Sequence, residues 1–371
     1  MSLRPVLLAA GGTGGHLFPA QALGDALAKR GIAVELVTDD RAARFGAQFP
    51  ARAIHQLKTA SPSGGSPLKR LKAIARLILA TRVARRLIRR IRPLAVVGFG
   101  GYPTVPPVLA ASQLDVPAIL HEQNAVMGRA NRFLAKRVTA IAKGFETLGG
   151  ADAAGLAKAH HTGNPVRPTV LAAALTPYPD FADGRLHLLV TGGSQGARIM
   201  SEIVPAAVAL LDPALRARLS IVQQARAEDE AAVRAAYAAL GVAAEVKVFF
   251  DDLPMRMAAA HLVVARSGAS TVSELAVIGR PSLLVPFPHA LDQDQAANAA
   301  CLAVSGAAEV VPQASFTPPF LATALEAALA DPDALRRRAD AAAKAGIADA
   351  ADRLADLVEA LLPPPAERET P

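Results

Sequence analysis

The chain has one cysteine, Cys301, and no tryptophan among its 371 residues. A lone thiol excludes a disulfide framework and any multi-cysteine zinc or iron–sulfur site. Aromatic residues make up only 4%, too few for the base-stacking platforms that hold single-stranded nucleic acid, so no nucleic-acid partner is expected. No stretch reaches the ~18 uninterrupted apolar residues of a membrane span. Met1-Ser2-Leu3-Arg4-Pro5 runs straight into a short strand-like segment, which fits neither a signal peptide nor an anchor, and a cytosolic protein is expected. Charged residues are scarce as well, at 19% against 52% hydrophobic. That balance excludes wholesale disorder, and at ~100–200 residues per domain the length suggests two domains.

Acidic charge is short in one half only. Residues 1–165 carry 23 Lys/Arg against 8 Asp/Glu, whereas residues 166–371 carry 17 against 24, within a net charge of +8. Such asymmetry points to an anionic partner for the first half, either a membrane surface or a phosphate-bearing substrate.

Short apolar runs alternate with helical stretches. Strands are expected at Pro5–Ala10, Ile32–Val37, Ala95–Val97, Ala118–Leu120 and Val138–Ile141, with a helix from Pro19 to Arg30. After Gly163-Asn164-Pro165 the pattern restarts. Strands follow at Leu186–Thr191, Leu219–Gln223, Val246–Phe249, Leu262–Ala265 and Ser282–Val285, with a helix from about Ala197. This alternation predicts parallel sheets covered on both faces. Asp331–Leu362 reads as helical before Pro363-Pro364-Pro365, with a frayed end beyond. The expected division is 1–165, 166–345 and a tail at 346–371 that could pack back on the first domain.

Each half opens with an apolar strand that meets glycines and then a helix: Gly11-Gly12-Thr13-Gly14-Gly15-His16 and Gly192-Gly193-Ser194-Gln195-Gly196-Ala197. Two unrelated tight turns are the plain explanation. Two Rossmann-like domains, each bringing strand ends and helix N-termini toward phosphate, explain the matched placement better. The first loop lacks the Gly-Lys-Ser/Thr ending of a P-loop. Asp39 and Asp40 close the second strand where a dinucleotide fold keeps its ribose acid, so an oxidoreductase stays as an alternative. The richest polar constellation lies elsewhere, from Arg266 to Asn298. There Arg266-Ser267-Gly268-Ala269-Ser270-Thr271-Val272-Ser273-Glu274 leads from a strand into a helix, with small residues that let a ligand reach free N–H groups. Glu274 then sits about one turn inside, able to reach a ribose diol or, more plainly, to serve as a capping or solvent-facing acid. Gln293, Gln295 and Asn298 suit sugar hydroxyls. Asp292-Gln293-Asp294 is read as no metal site, and Asp251-Asp252 as a turn or cap.

With Gly98-Phe99-Gly100-Gly101-Tyr102, His121-Glu122-Gln123-Asn124 and Gly163-Asn164-Pro165-Val166-Arg167 added, the ordered motifs resemble those of the bacterial peptidoglycan glycosyltransferase (MurG) family, which converts lipid I to lipid II. They cover most of the chain, from residue 11 to 298. The resemblance implies a GT-B fold of two Rossmann-like domains facing across a cleft. It implies a metal-independent, cofactor-free, inverting transfer of N-acetylglucosamine from its UDP carrier to the C4 hydroxyl of undecaprenyl-pyrophosphoryl-N-acetylmuramyl-pentapeptide. It places donor contacts at Thr13, Gly14, Gly15, Asn124, Arg167, Ser194, Phe250 (through its backbone), Ala269, Ser270, Thr271, Val272, Ser273, Glu274 and Gln295, and acceptor-side positions at Gly100, Gly101, Tyr102 and Glu122. His16 is the candidate base or acceptor orienter, a structural cap being its alternative. Between Phe287 and Asn298 the chain is one residue longer than the family pattern, with Ala290-Leu291 replacing one polar residue. The implied location is the cytoplasmic face of the inner membrane, with other cell-wall synthesis proteins as further partners. Another UDP-sugar transferase, an epimerase of the same architecture and a non-enzymatic basic module remain as alternatives.

Ser66-Pro67 opens a helical stretch that ends at Pro93. Between them lie Lys69, Arg70, Lys72, Arg76, Arg82, Arg85, Arg86, Arg89, Arg90 and Arg92, without an acid. The 71, 74, 75, 78 spacing suggests a core-facing stripe with a solvated basic back. Ten mutually repelling cations instead suggest an anionic leaflet against Lys69, Arg70, Arg85, Arg86, Arg89 and Arg90.

Overall fold

The computed structural model describes residues 4–11, 14–39, 49–57, 67–193, 196–364 and 368. The chain forms two compact units, one of Met1–Arg167 with Asp349–Pro371 and one of Pro168–Ala348.

The first unit is built on a parallel sheet of β1 (Val6–Ala9), β2 (Val34–Thr38), β3 (Ala53–Gln56), β4 (Ala95–Gly98), β5 (Ala118–Glu122), β6 (Ala140–Lys143) and β7 (Ala159–His161), in the order β3-β2-β1-β4-β5-β6-β7. Alternation of side chains across β1 sorts its residues between two cores. Val6 and Leu8 face α1 (Gly14–Lys29) together with Leu354 and Val358 of the C-terminal helix Ala350–Glu359. Leu7 faces α2 (Pro67–Ile91) and α3 (Val105–Ser112) through Ala84, Ile88 and Val108. Burial of each such leucine stabilises the fold by about 1.5–3 kcal/mol. The C-terminal helix is also held by charge. The Arg30 guanidinium reaches Asp356 at 2.6 Å and Glu359 at 2.7 Å.

The second unit carries the parallel sheet β8 (Leu186–Thr191), β9 (Leu219–Gln224), β10 (Ala243–Lys247), β11 (Leu262–Ala265), β12 (Ser282–Leu284) and β13 (Ala308–Val310), in the order β10-β9-β8-β11-β12-β13. Leu186, Leu188 and Val190 of β8 pack with Met200 and Val204 of the helix Arg198–Leu210. In both sheets the strand order reverses beside the first strand of the unit. The glycine-rich turns leave from that point, where α/β sheets bind ligands.

Several expectations need correcting. The strands β3, β7 and β13 are additional to those expected: each lies at a sheet edge and is only partly buried, so none has a continuous apolar run. β10 ends at Lys247, short of the expected Phe249, whose ring is exposed. α1 begins at Gly14, a turn before Pro19, and accommodates that proline inside the helix. The stripe expected to face the core of α2 is wrong too. Ile74, Ala75 and Ile78 are exposed, while Ala73, Ala80, Ala84, Leu87 and Ile88 are buried.

Candidate active site

In the first unit the turn after β1 and the loop after β4 meet at one imidazole. His16 is the third residue of α1 and is half-exposed. Gly100 and Gly101 have φ of 84° and 74°, a region costly to residues with a Cβ. A Cβ added to Gly100 would lie 3.4 Å from His16 Nε2, and one on Gly101 would lie 3.5 Å from Cε1. The ring therefore packs against bare backbone. Thr104 Oγ1 fixes that backbone by donating to the Gly100 carbonyl at 2.6 Å. Tyr102, half-buried, opens the short 3-10 helix Tyr102–Thr104. On the other side of the turn the Arg167 guanidinium lies 4.3 Å from the centroid of the Phe18 ring, and a Cβ on Gly14 would collide with that same ring. The structure thus brings Gly14, His16, Gly100, Gly101 and Arg167 around the first turn of α1, with Gly15 exposed there. Thr13, like Gly12 and Asp40, lies outside the described residues.

The end of β5 is held by a buried polar network. His121 Nδ1 accepts from Gln123 Nε2 at 3.1 Å, so its Nε2–H donates to the Gly163 carbonyl at 3.2 Å. Gln123 Nε2 also donates to the Phe99 carbonyl, and Asn164 Nδ2 donates to the Gln123 carbonyl. Burial pulls the His121 pKa down to about 4, against the Gly163 hydrogen bond, with nearby His16 lowering it further. The ring is neutral at pH 7. Glu122 is buried and organises the next turn. Its carboxylate accepts from Gly128 N at 2.9 Å, Asn131 Nδ2 at 2.8 Å and Asn124 N at 3.0 Å. Burial raises its pKa, and these hydrogen bonds pull it back. Both Glu122 oxygens thereby shape the segment that presents the half-exposed Asn124. Gln123, Asn131 and Asn164 do this structural work without having stood out as site residues.

In the second unit β11 leads through Arg266–Gly268 into the helix Ala269–Ile278, whose N-cap is Gly268, with no side chain capping it. Its first-turn N–H groups carry the positive end of the helix dipole. Ser270, Thr271 and Ser273 are half-buried, and Ala269, Val272 and Glu274 are buried. Burial disposes of the solvent-facing alternative for Glu274, which is 7% exposed. The 287–298 segment is tied to this turn. Ser267 Oγ donates to the Gln295 carbonyl at 2.8 Å, and Asn298 Nδ2 donates to the Ser267 carbonyl at 3.2 Å. Gln295 Oε1 accepts from Phe287 N at 2.9 Å. Just before, Asp292 and Gln293 both take positive φ, 60° and 58°, and lead into the helix Asp294–Ala303. Asp294 starts that helix, and its Oδ1 accepts from Gln295 N at 2.8 Å. Arg266 donates to the Val285 and Pro286 carbonyls and to Gln313 Oε1, fixing the strand ends on either side. Phe250 is buried, with the Arg256 guanidinium 4.4 Å from its ring centroid. Thr191 Oγ1 and Gly192 N both donate to Gln224 Oε1 and hold the turn after β8. Ser194 in that turn lies outside the described residues.

Two family models match the two units in turn, the glycosyltransferase family 28 N-terminal domain over residues 6–143 and the glycosyltransferase family 28 C-terminal domain over residues 187–354. A UDP-N-acetylglucosamine--N-acetylmuramyl-(pentapeptide) pyrophosphoryl-undecaprenol N-acetylglucosamine transferase of Methylobacterium nodulans is 60% identical over 356 residues, 95% of each chain. The chain belongs to glycosyltransferase family 28. A relative of the same description from Brucella suis is 57% identical over 358 residues, covering 96% of this chain and 94% of that one. Among solved structures, the MurG of Acinetobacter baumannii superposes with a TM-score of 0.78 at 29% identity, over 96% of this chain and 99% of that chain. A UDP-GlcNAc 2-epimerase from Neisseria meningitidis shares the fold, with a TM-score of 0.68 over 96% of this chain and all of that one, but only 15% identity. The fold is GT-B and the family that of the resemblance. Membership of a glycosyltransferase family overturns the oxidoreductase and non-enzymatic alternatives.

Proposed function

We propose that the chain transfers N-acetylglucosamine from UDP-N-acetylglucosamine to the C4 hydroxyl of undecaprenyl-pyrophosphoryl-N-acetylmuramyl-pentapeptide. The observation that carries this is 60% identity over 95% of both chains to a relative of that description. In this reading the second unit holds the donor. The Phe250 backbone meets the uracil, Glu274 accepts from the ribose hydroxyls, the N–H groups of the Ala269–Ser273 turn and Ser194 meet the pyrophosphate, and Gln295 takes the sugar. Thr13, Gly14, Gly15, Asn124 and Arg167 complete the donor contacts from the first unit, while Gly100, Gly101, Tyr102 and the Glu122 turn serve the acceptor.

The acceptor hydroxyl attacks the anomeric carbon from the face opposite UDP, which inverts that centre. The hydroxyl proton goes to a base, and the C–O bond to UDP breaks with its electrons leaving on the phosphate. Helix N-termini and a guanidinium aimed at that phosphate stabilise the charge as it grows. His16 is the base or orienter, because its ring lies where the turn after β1 meets the loop after β4, and an imidazole is the side chain suited to proton transfer near neutrality.

No helix among the described residues is long and apolar enough to cross a membrane. The acceptor's polyprenyl tail stays in the bilayer, so the first unit must reach the leaflet. α2 supports that role. Its exposed side mixes Ile74, Ile78, Leu79 and Val83 with Lys72, Arg76, Arg82, Arg86, Arg89 and Arg90. Arg85 is half-buried on that helix, and the side chains of Lys69 and Arg70 lie outside the description. Apolar side chains that dip in beside cations, at ~1 kcal/mol per cation near anionic lipid, make a peripheral membrane surface.

Parallel calorimetry with UDP, UDP-N-acetylglucosamine, UDP-N-acetylgalactosamine and NADH, paired with turnover on the lipid acceptor, tests the reading. Binding of the UDP compounds but not NADH, with the N-acetylglucosamine donor alone giving product, is expected. Equal turnover of both UDP-sugars would overturn the donor assignment.

A further inference from the structure

Among the described residues Arg280 is the largest fully buried side chain, at 2% exposure. It follows Gly279, the left-handed C-cap of the helix Ala269–Ile278, and its side chain folds back beneath that helix end. Nη1 donates to the carbonyls of Ile278 at 2.7 Å and Gly279 at 3.0 Å. Nε donates to the Ala258 carbonyl at 2.9 Å, at the end of the helix Leu253–Ala258. Nη2 reaches the Thr176 and Pro177 carbonyls, both at 3.1 Å, just beyond the helix Pro168–Ala174. The ring of Tyr178 lies 5.6 Å away. Burial lowers the Arg280 pKa to about 10, opposed by Tyr178, so the group remains charged at neutral pH. One cation thus satisfies carbonyl groups at three chain segments, two of them the negative ends of helices.

These two helices are the ones whose other ends meet the donor in the function proposed above. Phe250 lies just before the helix Leu253–Ala258, and Ala269–Glu274 begin the helix Ala269–Ile278. At ~1.5 Å per residue, Arg280 stands roughly 10–15 Å behind both contact points. We infer that Arg280 is a positioning residue for the nucleotide. By pinning the two helix C-termini to each other and to the 176–177 segment, it fixes the spacing between the uracil-binding turn and the ribose- and phosphate-binding turn. No other side chain type can do this from one position. A lysine offers three donors at one nitrogen, whereas the guanidinium spreads five over a planar fork.

This inference rests on the second unit being the donor domain, and its test separates the two. UDP binding is measured by calorimetry for the parent, Arg280→Met and Arg280→Lys, with folding followed by circular dichroism and steady-state kinetics run for donor and acceptor. A misplacement of about 1 Å can cost ~10²-fold, so a shift of roughly half that size is expected to cost about tenfold. Arg280→Met is therefore expected to raise the UDP Kd and the donor KM by about tenfold and to lower kcat, because the same turn stabilises the leaving phosphate, with the acceptor KM within twofold of the parent. Arg280→Lys, which keeps the charge, should show a smaller rise of the same kind. A residue of purely structural value would lower Tm and leave the Kd of the folded protein alone. Folded variants that bind UDP within twofold of the parent overturn the positioning role. If Arg280→Met does not fold, Arg280→Lys decides by the same threshold. A parent that binds neither UDP nor UDP-N-acetylglucosamine removes the donor-domain reading and this role with it.

Discussion

The imidazole of His16 rests on the backbone of Gly100, close enough that a methyl group there would stand 3.4 Å from Nε2. The two residues are 84 positions apart in sequence, and a left-handed backbone at Gly100 lets them meet. The ring thereby sits at the sheet's switch point, beside the loop that follows β4.

If His16 is the base, His16→Ala should lower kcat by about 10²–10⁴-fold with little change in UDP affinity. Gly100→Ala should act in the same direction, because the backbone at φ 84° is disfavoured for alanine and its relaxation shifts the chain against which the ring rests. Single-turnover rates beside calorimetric UDP affinities check both. Parent-like turnover in His16→Ala returns the histidine to a capping role.

Glu274 lies buried in the helix Ala269–Ile278, and if it accepts from the ribose as proposed, Glu274→Ala should weaken UDP binding by about 1.5–3 kcal/mol, the range for a hydrogen bond to a charged group. Titration of the folded variant with UDP is the measurement. An unchanged affinity sinks the ribose assignment.

The central strands were legible because β1, β4, β5, β8 and β11 are short runs of buried apolar residues bounded by glycine or polar turns. β3, with the sequence Ala53-Ile54-His55-Gln56, alternates half-buried and exposed residues as a sheet edge does, and so resembles loop composition. The motif residues that line the glycine turns could be read from local sequence. The contact of His16 with Gly100 could not, since it depends on strand order. Arg280 was invisible for a related reason: a single arginine after a glycine gives no hint that three segments end around it.

Membrane binding should follow the exposed side of α2. Reversing Arg85, Arg86, Arg89 and Arg90 to Glu should abolish sedimentation with anionic vesicles, and parent binding should fade as salt rises. UDP affinity should be spared. A charge-reversed protein that still sediments like the parent would move the membrane face elsewhere.

His121 carries a pH dependence whose sign is fixed by its burial. Its pKa falls from 6.5 to about 4 on folding, so the unfolded chain binds the proton more readily between those values. Stability from this group is complete above pH 6.5 and is lost as pH falls toward 4, by roughly 3 kcal/mol in all. Urea unfolding of the parent and His121→Gln across this window should show the difference, with the variant's profile flatter by that amount. Parallel profiles would mean that His121 takes up its proton as easily in the folded protein.

The first unit is completed by a helix, Ala350–Glu359, that follows the whole second unit in sequence. Leu354, Ala355 and Val358 share a core with Leu23 and Leu27 of α1. At ~5–20 residues per second, a ribosome needs roughly 20 s to a minute to get from one group to the other. Throughout that interval α1 has an uncovered apolar face, and a nascent chain cut short before Ala350 keeps it uncovered for good. Synthesis thus leaves a sticky intermediate until the helix Ala350–Glu359 is made, and that helix acts as the lock on a domain begun hundreds of residues earlier.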